Sequence, residues 1–179
     1  MMKKMTLIAL LGLLPLTASA MTLTSRDIQE GSPMADTFVY QGFGCSGGNL
    51  SPQLSWQGAP AGTKSYAVTA FDPDAPTGSG WWHWQVVNIP VKTTTLKRGA
   101  SGHIKGADEL TNDYGGQGFG GVCPPAGDGM HRYQFTVWAL PDAKLALPDN
   151  ASAALVGYML RAKSLAHAKL TATYTNKGQ

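Results

Sequence analysis

The chain has 179 residues, 14 of them Lys or Arg against 11 Asp or Glu, with 22 glycines and 11 prolines. That length gives one domain room for a sizeable core. Setting aside Lys3 and Lys4, which fall in an N-terminal leader, 12 basic residues face 11 acidic ones, a formal charge of +1; with no basic run longer than Lys97-Arg98, nucleic acid is not an expected partner.

Residues 1–20 read as a cleaved secretory signal peptide. Met1-Met2-Lys3-Lys4 is a basic start, 6–16 is an apolar run and Ala18-Ser19-Ala20 is a small-residue cleavage site. About 11 apolar residues are too few to span a bilayer, which takes about 20, and no later run is longer, so no membrane span is expected. No Cys sits next to the cleavage point, which argues against a lipid anchor. The expected product is a single domain, 21–179, in the periplasm. Cys45 and Cys123 are the only two cysteines. An oxidising compartment makes them a candidate disulfide, with two free thiols as the alternative; the bond would close a loop worth roughly 4.5 kcal/mol of unfolded-state entropy. No CxxC spacing points to a metal at this pair.

Beyond the leader, strands are predicted at 37–41, 53–56, 65–71, 82–89, 133–140 and 170–174. The runs Ser65-Tyr66-Ala67-Val68-Thr69-Ala70-Phe71 and Tyr133-Gln134-Phe135-Thr136-Val137-Trp138 are rich in aromatic and β-branched residues and end on Gly, Pro or Asp. Many short strands between Gly/Pro-rich turns give a mainly β fold, a sandwich or an irregular barrel. One helix is predicted late in the chain, capped by Asp149 or Asn150, with Leu155, Met159, Ala162 and Ala166 on one face and His167 near its end. A shorter helical candidate covers 105–110. Segment 115–129 is a long Gly/Pro-rich loop, a kind that is usually functional or disordered.

Two motif matches fail on context. Gly44-Cys45-Ser46-Gly47-Gly48 fits G-x-S-x-G, and Asp72 and His131 follow in triad order. A nucleophile elbow needs a strand-to-helix turn, however, and Gly47-Gly48-Asn49-Leu50-Ser51-Pro52 cannot begin a helix. Gly116-Gln117-Gly118-Phe119-Gly120-Gly121 fits G-x-G-x-x-G, but Val122-Cys123-Pro124-Pro125 follows where a dinucleotide fold requires a helix N-terminus.

A stronger constellation joins Asp72-Pro73-Asp74-Ala75-Pro76 to Gly129-Met130-His131-Arg132-Tyr133. Asp72 and Asp74 leave a strand between prolines that restrict their backbone. Trp81-Trp82-His83-Trp84 opens the next strand, and alternation would put His83 opposite Trp82 and Trp84. If the strand ends are adjacent, Asp72, His83 and His131 converge. An Asp-oriented His donates well to an anionic oxygen, at about 1.5 to 3 kcal/mol per charge-assisted bond. The glycines of 115–121 would bring backbone N–H groups to the same anion. Both histidines would titrate near pH 6 to 7 and favour an anion when protonated. Two alternatives remain open on residue types: turn-capping aspartates with half-buried histidines, and a two-His-one-carboxylate metal site.

These residues resemble the phosphatidylethanolamine-binding protein family, in its bacterial Raf-kinase-inhibitor-like branch. The resemblance rests on D-P-D-A-P at 72–76, His83 at a strand start, Pro124-Pro125 in a Gly-rich loop and G-x-H-R-Y at 129–133, and covers about 22–175. It implies a Greek-key β-sandwich with peripheral helices, including the helix before the last strand. It also implies a small pocket for phosphate, acetate or a phosphorylated head group, built from Asp72, His83, Pro124, Pro125, His131 and Tyr133 with backbone from Gly121 and Cys123. Arg132 would support the fold by pairing with Asp74. Cys123 stands where the family commonly has Gly, so a bond to Cys45 would staple the pocket loop. No cofactor or metal is implied.

The expected function is non-catalytic binding of a small anionic or phosphorylated ligand. The alternative is a protein partner, with the chain inhibiting or modulating a protease or kinase; a hydrolase using Ser46 ranks below both. The branch also implies a homodimer option, for which 81–84 would supply the surface.

Overall fold

The computed structural model describes residues 20–178, so the leader expected at 1–20 lies, but for Ala20, outside the described residues. Ten strands and one α-helix follow in chain order: β1 (Thr22–Thr24), β2 (Gln41–Gly42), β3 (Cys45–Ser46), β4 (Leu54–Gln57), β5 (Ser65–Asp72), β6 (Trp81–Pro90), β7 (Thr95–Leu96), β8 (Asp108–Glu109), β9 (Met130–Leu140), α1 (Ala153–Lys163) and β10 (Ala166–Thr175). They form an antiparallel five-stranded sheet in the order β10-β9-β5-β6-β8, a three-stranded sheet β1-β4-β7 and the small hairpin β2-β3.

Period-2 alternation decides the layers. On β9, Tyr133, Phe135 and Val137 face Leu54 and Trp56 of the smaller sheet in the main core. Trp138 and Leu140 point the other way, where Val156 and Leu160 of α1 cover them together with Ala67 and Val87. The result is a sandwich with one helix on its outer face. The mainly β architecture agrees with the sequence reading, and β5, β6 and β9 fall within three residues of their predicted bounds.

Three segments differ. The strand expected at 37–41 is a 3-10 turn, Asp36–Phe38, followed by β2. Its carbonyls are taken up locally: Asp36 accepts from Gly48 N–H at 3.0 Å and Val39 from Asn49 N–H at 2.8 Å, which ties the segment to a turn instead of a ladder. The helix starts one turn later than expected, with Ser152 Oγ accepting from Leu155 N–H at 3.2 Å. It buries Val156 and Leu160 instead of Leu155 and Met159, an i,i+4 face shifted by one residue. Its end at Ser164 puts Ala166 and His167 on β10, and 105–110 holds β8 and no helix.

Two bulges bend β6. Phe71 pairs with Trp82 but Ala70 pairs with Trp84, so His83 is the extra residue. The alternation expected for His83 therefore fails at this position, and Trp82 alone turns toward α1, where it packs on Phe71 with ring centroids 4.4 Å apart.

Cys45 and Cys123 are bonded, joining the β2-β3 hairpin to the loop before β9. Replacing both by Ser should lower unfolding free energy by up to about 4 kcal/mol; a denaturant titration giving no loss would contradict that account of the staple.

Candidate functional site

The adjacency expected of the strand ends is present. β5 and β9 pair as far as Phe71 and Gln134, and beyond that point side chains continue the connection. Asp72 Oδ2 accepts from His131 Nδ1 at 2.7 Å, both groups being buried. Asp74 accepts from the Arg132 backbone N–H and Nε, each at 2.9 Å, and from Nη2 at 2.6 Å. The pairing of Arg132 with Asp74 that the resemblance implies is present, and the guanidinium holds the Asp74 carboxyl below the usual range.

His83, re-aimed by the bulge, donates from Nδ1 to the carbonyls of Gly120 and Gly121 at 2.9 and 3.1 Å. That fixes the tautomer and leaves Nε2 as an acceptor. Burial pushes its pKa down, opposed in part by the Gly120 carbonyl and the Asp72 charge, so the ring is neutral at pH 7. His131 behaves oppositely. Burial works against its imidazolium, but the hydrogen bond and charge of Asp72, joined by Asp128, raise the pKa. Nε2 lies 3.2 Å from Asp128 Oδ2, so both ring nitrogens face carboxylates, which the imidazolium satisfies with two N–H donors. The two histidines are thus shifted in opposite directions.

Asp72, His83 and His131 line a cavity of about 250 Å³ with Cys123, Pro124, Pro125 and Tyr133. Three aromatic residues that the sequence reading did not place in the site complete it: Phe43, Trp81 and Tyr114. Tyr114 stacks on Tyr40 at 3.9 Å and meets Phe43 and Trp81 edge-on, each at 5.2 Å. The available signals were Phe43 between two glycines and Tyr114 just before the glycine run. Trp84 is buried while Trp81 and Trp82 line separate cavities, so 81–84 presents no continuous tryptophan surface.

The glycine run does not act as expected. Gly115, Gly116, Gly118, Gly120 and Gly121 donate their N–H groups to Asn112 O, Asn112 Oδ1, Leu110 O, His83 O and Asn49 Oδ1. Gly121 lies behind the cavity, its carbonyl accepting from His83 and from Tyr114 Oη. A Cβ there would sit 2.3 Å from Phe38 O, so the position requires glycine for close backbone approach.

Three of the residues that line the cavity carry a buried polar atom with no partner among the described residues: Trp81 Nε1, His83 Nε2 and Tyr133 Oη. Burial and the Asp72 charge push the Tyr133 phenol far up, so it stays a hydroxyl. No group of three His, Cys, Asp or Glu side chains suited to a metal occurs among the described residues. Ser46 lines a different cavity from His131.

A family model described as "Phosphatidylethanolamine-binding protein" matches residues 24–175. The chain is similar to the UPF0098 protein YbcL of Escherichia coli (strain K12), 52% identical over 165 residues, covering 89% of this chain and 90% of that one. It is also similar to the UPF0098 protein YbhB of the same organism, 45% identical over 159 residues, with 87% and 100% covered. The crystal structure of E. coli YbcL, described as a new member of the mammalian PEBP family, superposes with a TM-score of 0.84 at 52% identity, covering 88% and 99% of the two chains. The buried Asp72–His131 pair, the proline wall and these matches agree, and the chain belongs to the phosphatidylethanolamine-binding protein family.

Proposed function

We propose that this family member is a non-catalytic periplasmic binding protein whose pocket takes a small oxyanion carrying one proton, such as a phosphate monoester or a phosphorylated head group. The unpartnered trio carries this reading. A buried polar atom left unpaired costs about 1 to 3 kcal/mol, and a ligand that pairs all three recovers it. Trp81 Nε1–H and Tyr133 O–H donate; His83 Nε2 accepts. A monoprotonated phosphate has acceptor oxygens for the first two and a P–OH for the third. No nucleophile is required.

Asp128 is the competing group. Its carboxylate holds the outer nitrogen of His131 and is 40% exposed on its side chain, between Gly127 and Gly129, both in the left-handed region. An incoming oxyanion would displace it and take over the His131 donor. Export is supported by the disulfide and by the placement of Met21 in the core directly after an exposed Ala20, which suits a chain that begins at residue 21. A second reading, a contact that modulates a protease or kinase, draws on Phe43, which is 73% exposed at the cavity rim. It requires that Phe43→Ser abolish inhibition of a target enzyme while Tyr133→Phe leaves it intact.

Calorimetry with phosphate and phosphoethanolamine tests the leading reading. Tyr133→Phe removes an unpaired hydroxyl, so it should leave stability unchanged or raised and weaken binding about tenfold; equal affinity in the variant, or no binding by either protein, would sink the proposal. Asp128→Asn should tighten phosphate binding by a few fold, about 1 kcal/mol for a partly exposed competitor, and weaker binding would show that Asp128 is no rival. Affinity for phosphoethanolamine, a monoester that has mostly lost its P–OH proton at pH 8, should also rise about tenfold from pH 8 to pH 6. The complex gains the proton shared with His83, and the His131 imidazolium, stable up to its raised pKa, is lost only as pH climbs through it. A flat profile would contradict this assignment of protons.

A further inference from the structure

The outer face of the five-stranded sheet is only partly covered. α1 roofs one end through Val156 and Leu160, and beside it a cavity of about 300 Å³ opens on the face opposite the His131 pocket. Its volume is at the lower end of the range for small-molecule sites. The floor is a grid of paired strand residues: Thr69 lies opposite Thr136, which lies opposite Lys169, and Phe71 lies opposite Gln134. Thr69 Oγ1 accepts from Trp138 Nε1 at 3.1 Å, which leaves its proton free to donate, while the side chains of Gln134 and Thr136 make no hydrogen bond among the described residues.

Aromatic rings close two ends of the grid. Phe71 and Trp82 pack at 4.4 Å on one side, and His167 lies over Trp138 at 5.0 Å on the other. Tyr158, 67% exposed, adds a ring from α1. The charge is one-sided: Arg161 and Lys169 line the cavity, no Asp or Glu does, and neither makes an ion pair among the described residues. An uncompensated basic cluster on a sheet face is destabilising by itself and raises the local concentration of anions.

We propose that this cavity binds an acidic saccharide, a hydroxylated ring bearing a carboxylate. Each part of the site has a counterpart in that ligand. The neutral Thr and Gln groups match ring hydroxyls, the aromatic edges match the apolar C–H face, and Arg161 with Lys169 matches the charge. An apolar ligand would leave Gln134 and Thr136 desolvated without partners, and a bare inorganic anion would make no use of Phe71, Trp82 or Tyr158.

The test is calorimetric titration of the protein with tri-galacturonate and glucuronate, against the methyl ester of the first and plain glucose, with tryptophan fluorescence as a second readout. At least one acidic probe should bind saturably, and at least tenfold more tightly than its neutral counterpart. The Arg161→Gln/Lys169→Gln variant, altered only at exposed positions, should lose at least tenfold, while Tyr133→Phe in the other pocket should change nothing. Equal binding of the neutral probes, affinity unaltered in the double variant, or loss in Tyr133→Phe would overturn the assignment. So would binding of phosphatidylglycerol vesicles without binding of any saccharide, which would identify the face as a lipid contact.

Discussion

A carboxylate buried at the end of β5 needs a partner, and His131 at the start of β9 supplies it. Breaking such a pair from one side typically costs 3 to 5 kcal/mol, because the remaining charge is left uncompensated. The location matters as much as the energy. The β5–β9 ladder stops at Phe71 and Gln134, and the next residues after Asp72 are Pro73 and then Asp74. Proline has no N–H to continue the ladder. Two side chains continue it instead: Asp72 reaches inward to His131, and Asp74 reaches outward to the Arg132 backbone and guanidinium. The D-P-D motif is thus a substitute for two ladder bonds, and the pocket is the space that opens where the main-chain pairing ends.

The same closed accounting of hydrogen bonds limits what the pocket can accept. Pro124 and Pro125 present no N–H, and the glycine loop has committed the donors that it brings near. Loop amides buried away from water need partners of their own, so a glycine-rich run close to a cavity is not by itself an anion nest. Here its carbonyls matter more than its amides, because those of Gly120 and Gly121 take the Nδ1 proton of His83 and thereby set which face of that ring a ligand meets.

How much of this could be read from residues alone depended on the range of the forces involved. The long strands are legible because alternation is local, the Asp72–His131 pair because the two motifs flank strand ends, and Tyr133 with Pro124-Pro125 only through what the family resemblance implies. Local propensity also places α1, but not its face: Val156 and Leu160 are buried because β5, β6 and β9 present Ala67, Val87 and Leu140 there, and no pattern within 150–166 distinguishes that stripe from its neighbour. The 3-10 turn at Asp36–Phe38 depends on carbonyls met by residues 48–50. The His83 bulge depends on the register of β6 against β5, which no single strand encodes. Phe43 and Tyr114 enter the site on loops and Trp81 at the start of β6, brought together by the disulfide and by aromatic contacts between segments far apart in sequence.

That bulge also explains how one strand serves two cavities. In a regular strand Trp82 and Trp84 would share a face; the extra residue releases Trp82 to the outer side while His83 stays with the inner pocket. Trp82 then needs space under α1, and the helix provides it at Gly157, where a Cβ would lie 2.5 Å from the indole. A glycine inside a helix costs roughly 0.5 to 1 kcal/mol relative to alanine. Here it allows the helix to sit against the indole, so the helix's position over the outer cavity and the position of His83 in the inner one follow from the same irregularity in β6.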